Sequence, residues 1–269
     1  MNIGYINYLN CFPFYYNMFR VEPLDGIRVV PAYPGELNTL MKKGELAMSP
    51  VSAGAYPYLQ RDCVILPDFC LSSIGYVKSV ILQSHVPIED LDGKRVGLTT
   101  ASETSVALLR VLLSRYYNVK PEYVPVSPRP DMSGIDAALV IGNEAMVEPE
   151  EPVEYIYDLG DLWMRKTGFP VVFAIFLARR EAVEKNADMI RRVCTSYKKS
   201  LEIMRNDREL VVKEASAMYP DIIYDISKYY SYLKFEFTSE LKDALTFYYR
   251  EAHAAGILDR VEKLEFAWL

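Results

Sequence analysis

Short apolar runs, each followed by a segment with helical spacing, recur through the first two thirds of this chain of 269 residues. Buried parallel strands joined by helices give this pattern, because such strands are covered on both faces and such helices bury one stripe. The predicted strands lie at residues 3–8, 27–31, 46–49, 79–83, 95–99, 137–141 and 171–178. Helices are predicted between them at residues 34–43, 51–59, 102–117 and 144–147. The chain is therefore predicted to be an α/β protein.

The remainder of the chain has helical spacing over residues 181–206, 208–218, 221–233 and 239–254. Residues 121–130 and 149–152 contain several prolines and are predicted to be exposed loops.

The strands at 79–83 and 171–178 bracket a compact segment, and we expect them to cross between two lobes. Lobe 1 is predicted to comprise residues 1–82 and 175–269, and lobe 2 residues 83–174. Ligands of open α/β sheets bind beyond the carboxyl ends of the strands, so a cleft between the lobes is the expected binding site.

The composition argues against several classes of protein. A net charge of −6 and a pI near 5.2 oppose the phosphate backbone, so nucleic acid is not an expected partner. Apolar residues make up 51% of the chain. No apolar run approaches the roughly 20 residues of a membrane span, so a membrane is not an expected partner either. The first residues read as a strand rather than an export signal, and we expect a cytoplasmic location.

The cysteines and histidines have no metal-site spacing. They are Cys11, Cys63, Cys70, Cys194, His85 and His253. None forms a Cys-x-x-Cys pair or a zinc-ligand cluster, so we expect reduced cysteines and no metal. Walker, Gly-x-Ser-x-Gly and Gly-x-Gly-x-x-Gly motifs are absent from the sequence, and no cofactor is expected. Packing explains Cys11 and both histidines better than catalysis does.

Four predicted strand-to-helix turns carry small polar residues, and the free amides of a helix start can bind an anion. These residues are Asn10 in the first turn, Ser49, Pro50 and Ser52 in the second, Thr100, Ser102, Thr104 and Ser105 in the third, and Gly142 and Asn143 in the fourth. Helix capping is the simpler explanation for Asn10 and for Ser49 followed by Pro50. The third turn has more hydroxyls than a cap requires, and either Thr100 or Ser102 could be that cap.

Five motifs in order give the chain a resemblance to the chorismate dehydratase family. They lie at residues 6–15, 44–52, 102–106, 141–145 and 158–170, the last ending in Thr167-Gly168-Phe169-Pro170. The resemblance implies a two-lobed fold like that of periplasmic binding proteins (type II), with an interlobe cleft and a helical C-terminal tail. It also implies that chorismate, a small dianion, is converted into 3-[(1-carboxyvinyl)oxy]benzoate on the route to menaquinone through futalosine.

The same resemblance implies roles for individual residues. The family's asparagine falls on Asn10, which is the implied catalytic residue. The implied substrate-binding residues are Ser49, Pro50, Ser102, Thr104, Ser105, Thr167 and Gly168. Ser52, Thr100, Gly142 and Asn143 are added to the predicted substrate-binding residues because they lie in the same turns. Asn143 departs from the family, which usually has aspartate there, so a charged role at this position is in doubt.

Two other functions stay open at this stage. The first is 1,4-dihydroxy-6-naphthoate synthase, a sister enzyme with the same fold and a catalytic histidine in its second lobe; residues 86–170 contain no histidine. The second is a non-catalytic module that binds or senses a small anion, because the fold alone does not specify catalysis.

Overall fold

The computed structural model describes residues 1–148 and 152–268, so most of the loop predicted at 149–152 lies outside the described residues. The described residues form eleven strands: β1 (Asn2–Ile6), β2 (Arg28–Ala32), β3 (Met48–Ser52), β4 (Cys63–Ser73), β5 (Val80–Ser84), β6 (Arg95–Thr99), β7 (Glu122–Val126), β8 (Ala137–Ile141), β9 (Tyr155–Asp158), β10 (Val171–Arg179) and β11 (Leu233–Glu236). One sheet has the order β11-β4-β10-β3-β1-β2, and the other has the order β7-β6-β8-β5-β9. The α/β prediction is confirmed.

Nine α-helices are found in the described residues: α1 (Phe12–Tyr16), α2 (Pro34–Lys43), α3 (Tyr56–Leu59), α4 (Glu103–Val111), α5 (Leu159–Thr167), α6 (Arg180–Asn206), α7 (Arg208–Met218), α8 (Ile226–Tyr232) and α9 (Ser239–Ala254). The π-helical turns Asn17–Val21 and Leu112–Tyr116 extend α1 and α4. Short 3-10 segments lie at Ala53–Ala55, Ile88–Asp90 and Gly142–Met146. Within the described ranges, no helix has the length and apolar character needed to cross a bilayer.

Each sheet is the centre of one lobe, and the chain passes between the lobes twice. The first connection is residues 74–79, between β4 and β5, and the second is residues 168–170, between α5 and β10. The predicted boundaries at 82/83 and 174/175 instead fall inside β5 and β10. These two strands do not cross between lobes; each lies wholly within one sheet, because the crossing is made by the short segment that precedes it.

The first connection is held by a single carboxylate. Asp158 ends β9 and caps α5 by accepting hydrogen bonds from Gly160 N and Asp161 N. Its Oδ2 also accepts from Val77 N at 3.1 Å and Lys78 N at 2.7 Å. The connection is thereby fixed to the start of α5.

Two expectations about strand direction and extent are wrong. Both sheets are mixed rather than parallel, because β10 runs antiparallel to β3 and β4, and β5 runs antiparallel to β8 and β9. Residues 121–130 contain β7, which pairs with β6. Pro125 is tolerated there because β7 is an edge strand, where one row of amides needs no partner.

The helix predicted at 51–59 begins later than expected. Residues Met48–Ser52 are a strand, and Ser52 pairs with Ala174 of β10. Helix α3 begins only at Tyr56, after the 3-10 segment. Ser49 therefore does not cap a helix, and Pro50 does not open one. Sheet pairing with a distant strand overrides the local capping signal.

Candidate functional site

The carboxyl ends of four strands face one another across the cleft between the lobes. Strands β1 and β3 are parallel neighbours in the first sheet, and β6 and β8 are parallel neighbours in the second. Leu9 N donates to Asn143 Oδ1 across the cleft at 2.9 Å, and Gly54 N donates to Thr104 Oγ1 at 3.0 Å. The structure is thus a closed form, with the lobes in contact at two groups of polar residues.

Asn10 lies after β1, and its side chain does not cap α1. The helix has Cys11 at its N-cap position and no side-chain cap. Asn10 Oδ1 is buried and has no hydrogen-bond partner among the described residues. The side chain lies beside the phenol of Tyr229, whose pKa is raised by burial. The capping explanation for Asn10 is therefore wrong, and its amide is free to contact a ligand.

The turn after β8 packs directly on the turn after β1. Gly142 has a φ of +65°, and a Cβ added there would stand 2.4 Å from the ring of Tyr8. Gly142 N donates to Ser79 O at 2.7 Å, which ties this turn to the first interlobe connection. Asn143 serves through its oxygen, which accepts from Leu9 N. An acceptor is all that this contact requires, so the absence of a charge at position 143 does not disturb it.

The second group of polar residues surrounds the start of α4. Ser102 is the N-cap, and its Oγ accepts from Ser105 N at 3.3 Å and lies 3.2 Å from Ser105 Oγ. Ser52 stands at the end of β3 with a buried Oγ that has no hydrogen-bond partner among the described residues. Hydroxyls and the free amides of a helix start are suited to holding a carboxylate.

Two other residues of the third turn have different tasks. Thr104 is fully buried, and its hydroxyl accepts from Gly54 N and donates to Phe173 O at 2.7 Å. Its one hydroxyl proton is therefore used in a hydrogen bond to lobe 1. Thr100 is exposed and is not the cap of α4. Its carbonyl lies where a Cβ on Gly35 would be only 2.7 Å away, so it helps the two lobes to fit closely.

Four of the predicted site residues lie away from both polar groups: Ser49, Pro50, Thr167 and Gly168. Ser49 has no exposed surface, and its Oγ donates to the carbonyl of Pro50 inside β3 at 2.7 Å. Thr167 ends α5, where its Oγ1 donates to Trp163 O at 2.8 Å and accepts from Phe169 N at 3.1 Å. Gly168 is the left-handed cap of that helix. The hydrogen bonds of these residues stabilise a strand and a helix end.

Two adjoining cavities of about 460 and 560 Å³ open outside the inner groups. Both are lined by Arg129, Glu144 and Asp221, and Glu36 lines the first. Arg129 is the one cationic side chain among the described lining residues. Carboxylates outnumber it among these lining residues, so the two cavities disfavour a dianion.

Tyr8 and Glu144 are site residues that sequence reasoning missed. Tyr8 OH and Glu144 Oε2 are both buried and lie beside each other, with no other hydrogen-bond partner among the described residues. Burial, and then the charge of Glu144, raise the pKa of Tyr8. Tyr33 of lobe 1 donates to Glu144 Oε1 at 3.3 Å. Both residues lie within the motifs at 6–15 and 141–145, but neither is one of the small polar residues by which the turns were recognised.

The histidines and Cys11 lie outside the candidate site or are unreactive there. His85 follows β5, whose last residue, Ser84, pairs with the first residue of β8, so it stands at the edge of the sheet opposite Gly142. Its Nδ1 lies 2.8 Å from the exposed carboxylate of Glu154. Cys11 is fully buried, and burial raises its pKa. Across residues 1–148 and 152–268, no cluster of three or more potential metal ligands occurs.

Comparison with known proteins agrees with this geometry. A family model described as "Menaquinone biosynthesis" matches residues 1–254. Chorismate dehydratase from Thermus thermophilus is 36% identical over 197 residues, which are 66% of this chain and 70% of the relative. The 1,4-dihydroxy-6-naphtoate synthase of the same organism is 25% identical over 148 residues, or 55% of this chain and 54% of the relative.

Solved structures show the same fold. Protein AF1704 from Archaeoglobus fulgidus superposes with a TM-score of 0.74 at 20% identity, covering 96% of this chain and 98% of that one. The periplasmic aliphatic sulphonate binding protein SsuA from Escherichia coli gives a TM-score of 0.66 at 16% identity, covering 100% and 94%. The chain therefore has a periplasmic-binding-protein-like fold, as the sequence motifs predicted.

Proposed function

Because this chain belongs to the menaquinone biosynthesis family, we propose that it is a chorismate dehydratase, a carbon–oxygen lyase that forms 3-[(1-carboxyvinyl)oxy]benzoate and water. The observation that carries the proposal is Asn10, whose buried and unpaired amide oxygen lies beside the closed interlobe contact. The 36% identity to a chorismate dehydratase supports the choice of reaction. We also propose the cytoplasmic location expected from the sequence.

The proposed reaction is an elimination that makes the ring aromatic. The C–H bond at the ether-bearing carbon breaks, and its electron pair forms the new ring double bond. The neighbouring C–O bond breaks with its electron pair going to oxygen, and the hydroxyl leaves as water by taking up the proton that the base has removed. Aromatisation supplies the driving force, so the protein has mainly to fix the geometry and stabilise developing charge. The enolpyruvyl carboxylate of the substrate is the proposed base, since it can reach this proton intramolecularly.

The two groups of polar residues between the lobes have different proposed roles. The start of α4 with Ser102 and Ser105, together with Ser52 Oγ, is suited to hold one carboxylate of the substrate. The Asn10 amide oxygen would accept a hydrogen bond from the departing hydroxyl and so orient it for elimination. Gly142 and Asn143 act indirectly, by fixing the turn that carries Asn10.

Two observations bear on the alternative functions. The synthase of the same pathway is also a relative of this chain. Its expected catalytic histidine has no counterpart in the described part of this cleft, because His85 lies at the far edge of the sheet. The shared fold with SsuA favours, as a second candidate, a protein that binds a small anion without converting it.

Incubation of the purified protein with chorismate separates these functions. We expect the ultraviolet absorption of chorismate to disappear over many turnovers per protein molecule and the absorption of a benzoate to replace it. Chromatography with mass detection should show a product lighter than chorismate by one water. Binding at one equivalent without any product would support the non-catalytic module. The absence of both binding and turnover would refute the proposal. Heat-denatured protein is the control for spontaneous decay.

A further inference from the structure

Asn38 is a buried polar residue to which neither the motifs nor the proposed reaction gives a role. It lies inside α2 and has no exposed surface. Asparagine is a weak helix former, and a buried amide is costly unless both its ends are hydrogen-bonded. Both ends are paired: Oδ1 accepts from Ser52 N at 3.0 Å, and Nδ2 donates to Glu103 Oε1 at 3.2 Å. Asn38 therefore connects the end of β3 with a residue of the other lobe.

The Glu103 carboxylate receives a second donor from lobe 1. It projects from the first turn of α4, next to the N-cap Ser102. Its Oε1 accepts from the hydroxyl of Tyr58 in α3 as well as from Asn38. Hydrogen bonds to a charged acceptor are stronger than neutral ones. Opening the cleft would break both bonds at once and would return the carboxylate to water.

We propose that Asn38, Tyr58 and Glu103 form an interlobe latch that couples closure of the cleft to the placement of Ser52 opposite the start of α4. In the closed form Asn38 fixes the Ser52 amide and engages lobe 2 through the same side-chain amide group. Asn38 is thus a positioning residue. The latch is a property of the lobes whatever ligand they close on, whereas its effect on turnover rests on the proposed function.

Substitutions that move the carboxylate from one lobe to the other test this coupling. Asn38→Asp keeps an acceptor for the Ser52 amide but replaces the donor toward Glu103 with a second carboxylate oxygen. Gly35 N donates to Ala101 O, and Gly54 N donates to Thr104 Oγ1, so both amides report on closure. We expect hydrogen exchange at Gly35 and Gly54 to quicken about 5- to 100-fold in the variant, the range of ordinary coupling free energies. We expect kcat/KM for chorismate to fall by a similar factor.

The second substitution, Glu103→Gln, should rescue the first. In the double variant the amide donor stands on lobe 2 and the carboxylate on lobe 1, so the hydrogen bond is restored with its direction reversed. Hydrogen exchange at Gly35 and Gly54 should return to within about threefold of the wild-type rate. A recovery of this size would restore most of a typical coupling free energy between the lobes. Asn186→Asp, an identical change at an exposed position of α6, is the control and should change neither quantity.

Acidification provides an independent readout. Two carboxylates in contact raise the pKa of one of them, and that group then takes up a proton and becomes a donor. Asn38→Asp should therefore show faster hydrogen exchange and a lower kcat/KM than the wild type at pH 7. Both differences, measured at the same pH, should become smaller toward about pH 5. The other titratable groups near Glu103 are Tyr58, Tyr248 of α9 and, over the Tyr58 ring, Lys42. Burial and Glu103 raise the pKa of both tyrosines, so they stay neutral across this range.

The latch is refuted if exchange at Gly35 and Gly54 in Asn38→Asp stays at the wild-type rate, or if Glu103→Gln fails to rescue it. These readings need no substrate. If the wild-type protein does not convert chorismate, the proposed function fails while the exchange data still decide the latch.

Discussion

Replacement of Asn10 by alanine is expected to lower kcat for chorismate about 100-fold, because the departing hydroxyl would lose the acceptor that orients it and misplacement of a reacting group costs about that factor. Asn10 does not cap α1, and its Oδ1 has no hydrogen-bond partner among the described residues. The start of α1 therefore does not depend on this side chain. Removal of an unpaired buried polar atom is not costly, so the melting temperature should stay the same or rise slightly.

Steady-state kinetics and thermal unfolding of the same preparations check both halves of this expectation. Asn206→Ala removes the same amide from the exposed last residue of α6 and should match the wild type in kcat and stability. Wild-type turnover by Asn10→Ala would contradict the proposed role. A large loss of stability together with lost activity would show that Asn10 is a structural residue instead.

Replacement of Thr104 by valine is expected to have the largest effect on stability. Valine has the shape of threonine but no hydroxyl, so Gly54 N and Phe173 O would both lose their partner in a fully buried place. Each unpaired buried group costs about 1–3 kcal/mol, and the free energy of unfolding should fall by about 2–5 kcal/mol. At about 2–4 °C per kcal/mol for a protein of this size, the melting temperature should drop by roughly 5–15 °C.

Differential scanning calorimetry or denaturant unfolding measures this change. Thr246→Val, at an exposed position where the hydroxyl bonds only within α9, is the matched control and should shift stability by less than about 0.5 kcal/mol. Thr104→Ser keeps the hydroxyl and should retain most of the stability. If Thr104→Val unfolds like the wild type but binds chorismate far more weakly, the hydroxyl serves the ligand rather than the lobes.

Local patterns predicted the elements that are amphipathic or bounded by clear signals. The helix at 34–43 and the strands at 95–99 and 137–141 have the predicted bounds, because each combines an apolar period with proline or small polar residues at its ends. Strand β4 and helix α5 were missed. Pro67 and Asp68 interrupt the strand pattern at an irregularity in its pairing with β10, and the short helix carries charged residues beside its buried ones.

The candidate site was predicted only in part, and the reason is the same for each miss. Asn10, Ser52, Ser102, Ser105 and Asn143 do lie at facing strand ends. Thr104 and Ser49 are also polar residues at turns in the sequence, but their hydroxyls are used by Phe173 and Pro50. The sequence alone does not distinguish a hydroxyl that binds a ligand from one that bonds to the backbone of another element. Only the position of that element in the fold does so.

The sequence by itself determined that the chain is an α/β protein of the menaquinone biosynthesis family, because apolar periods and ordered motifs are local properties that survive without coordinates. Only the tertiary structure decided that β10 holds Ser49 and Pro50 in a strand, that Asn10 is left unpaired, and that Asn38 meets Glu103. The physical reason is distance along the chain: hydrogen bonds between residues 65 or more than 120 positions apart are selected by packing of the whole molecule, not by neighbouring residues.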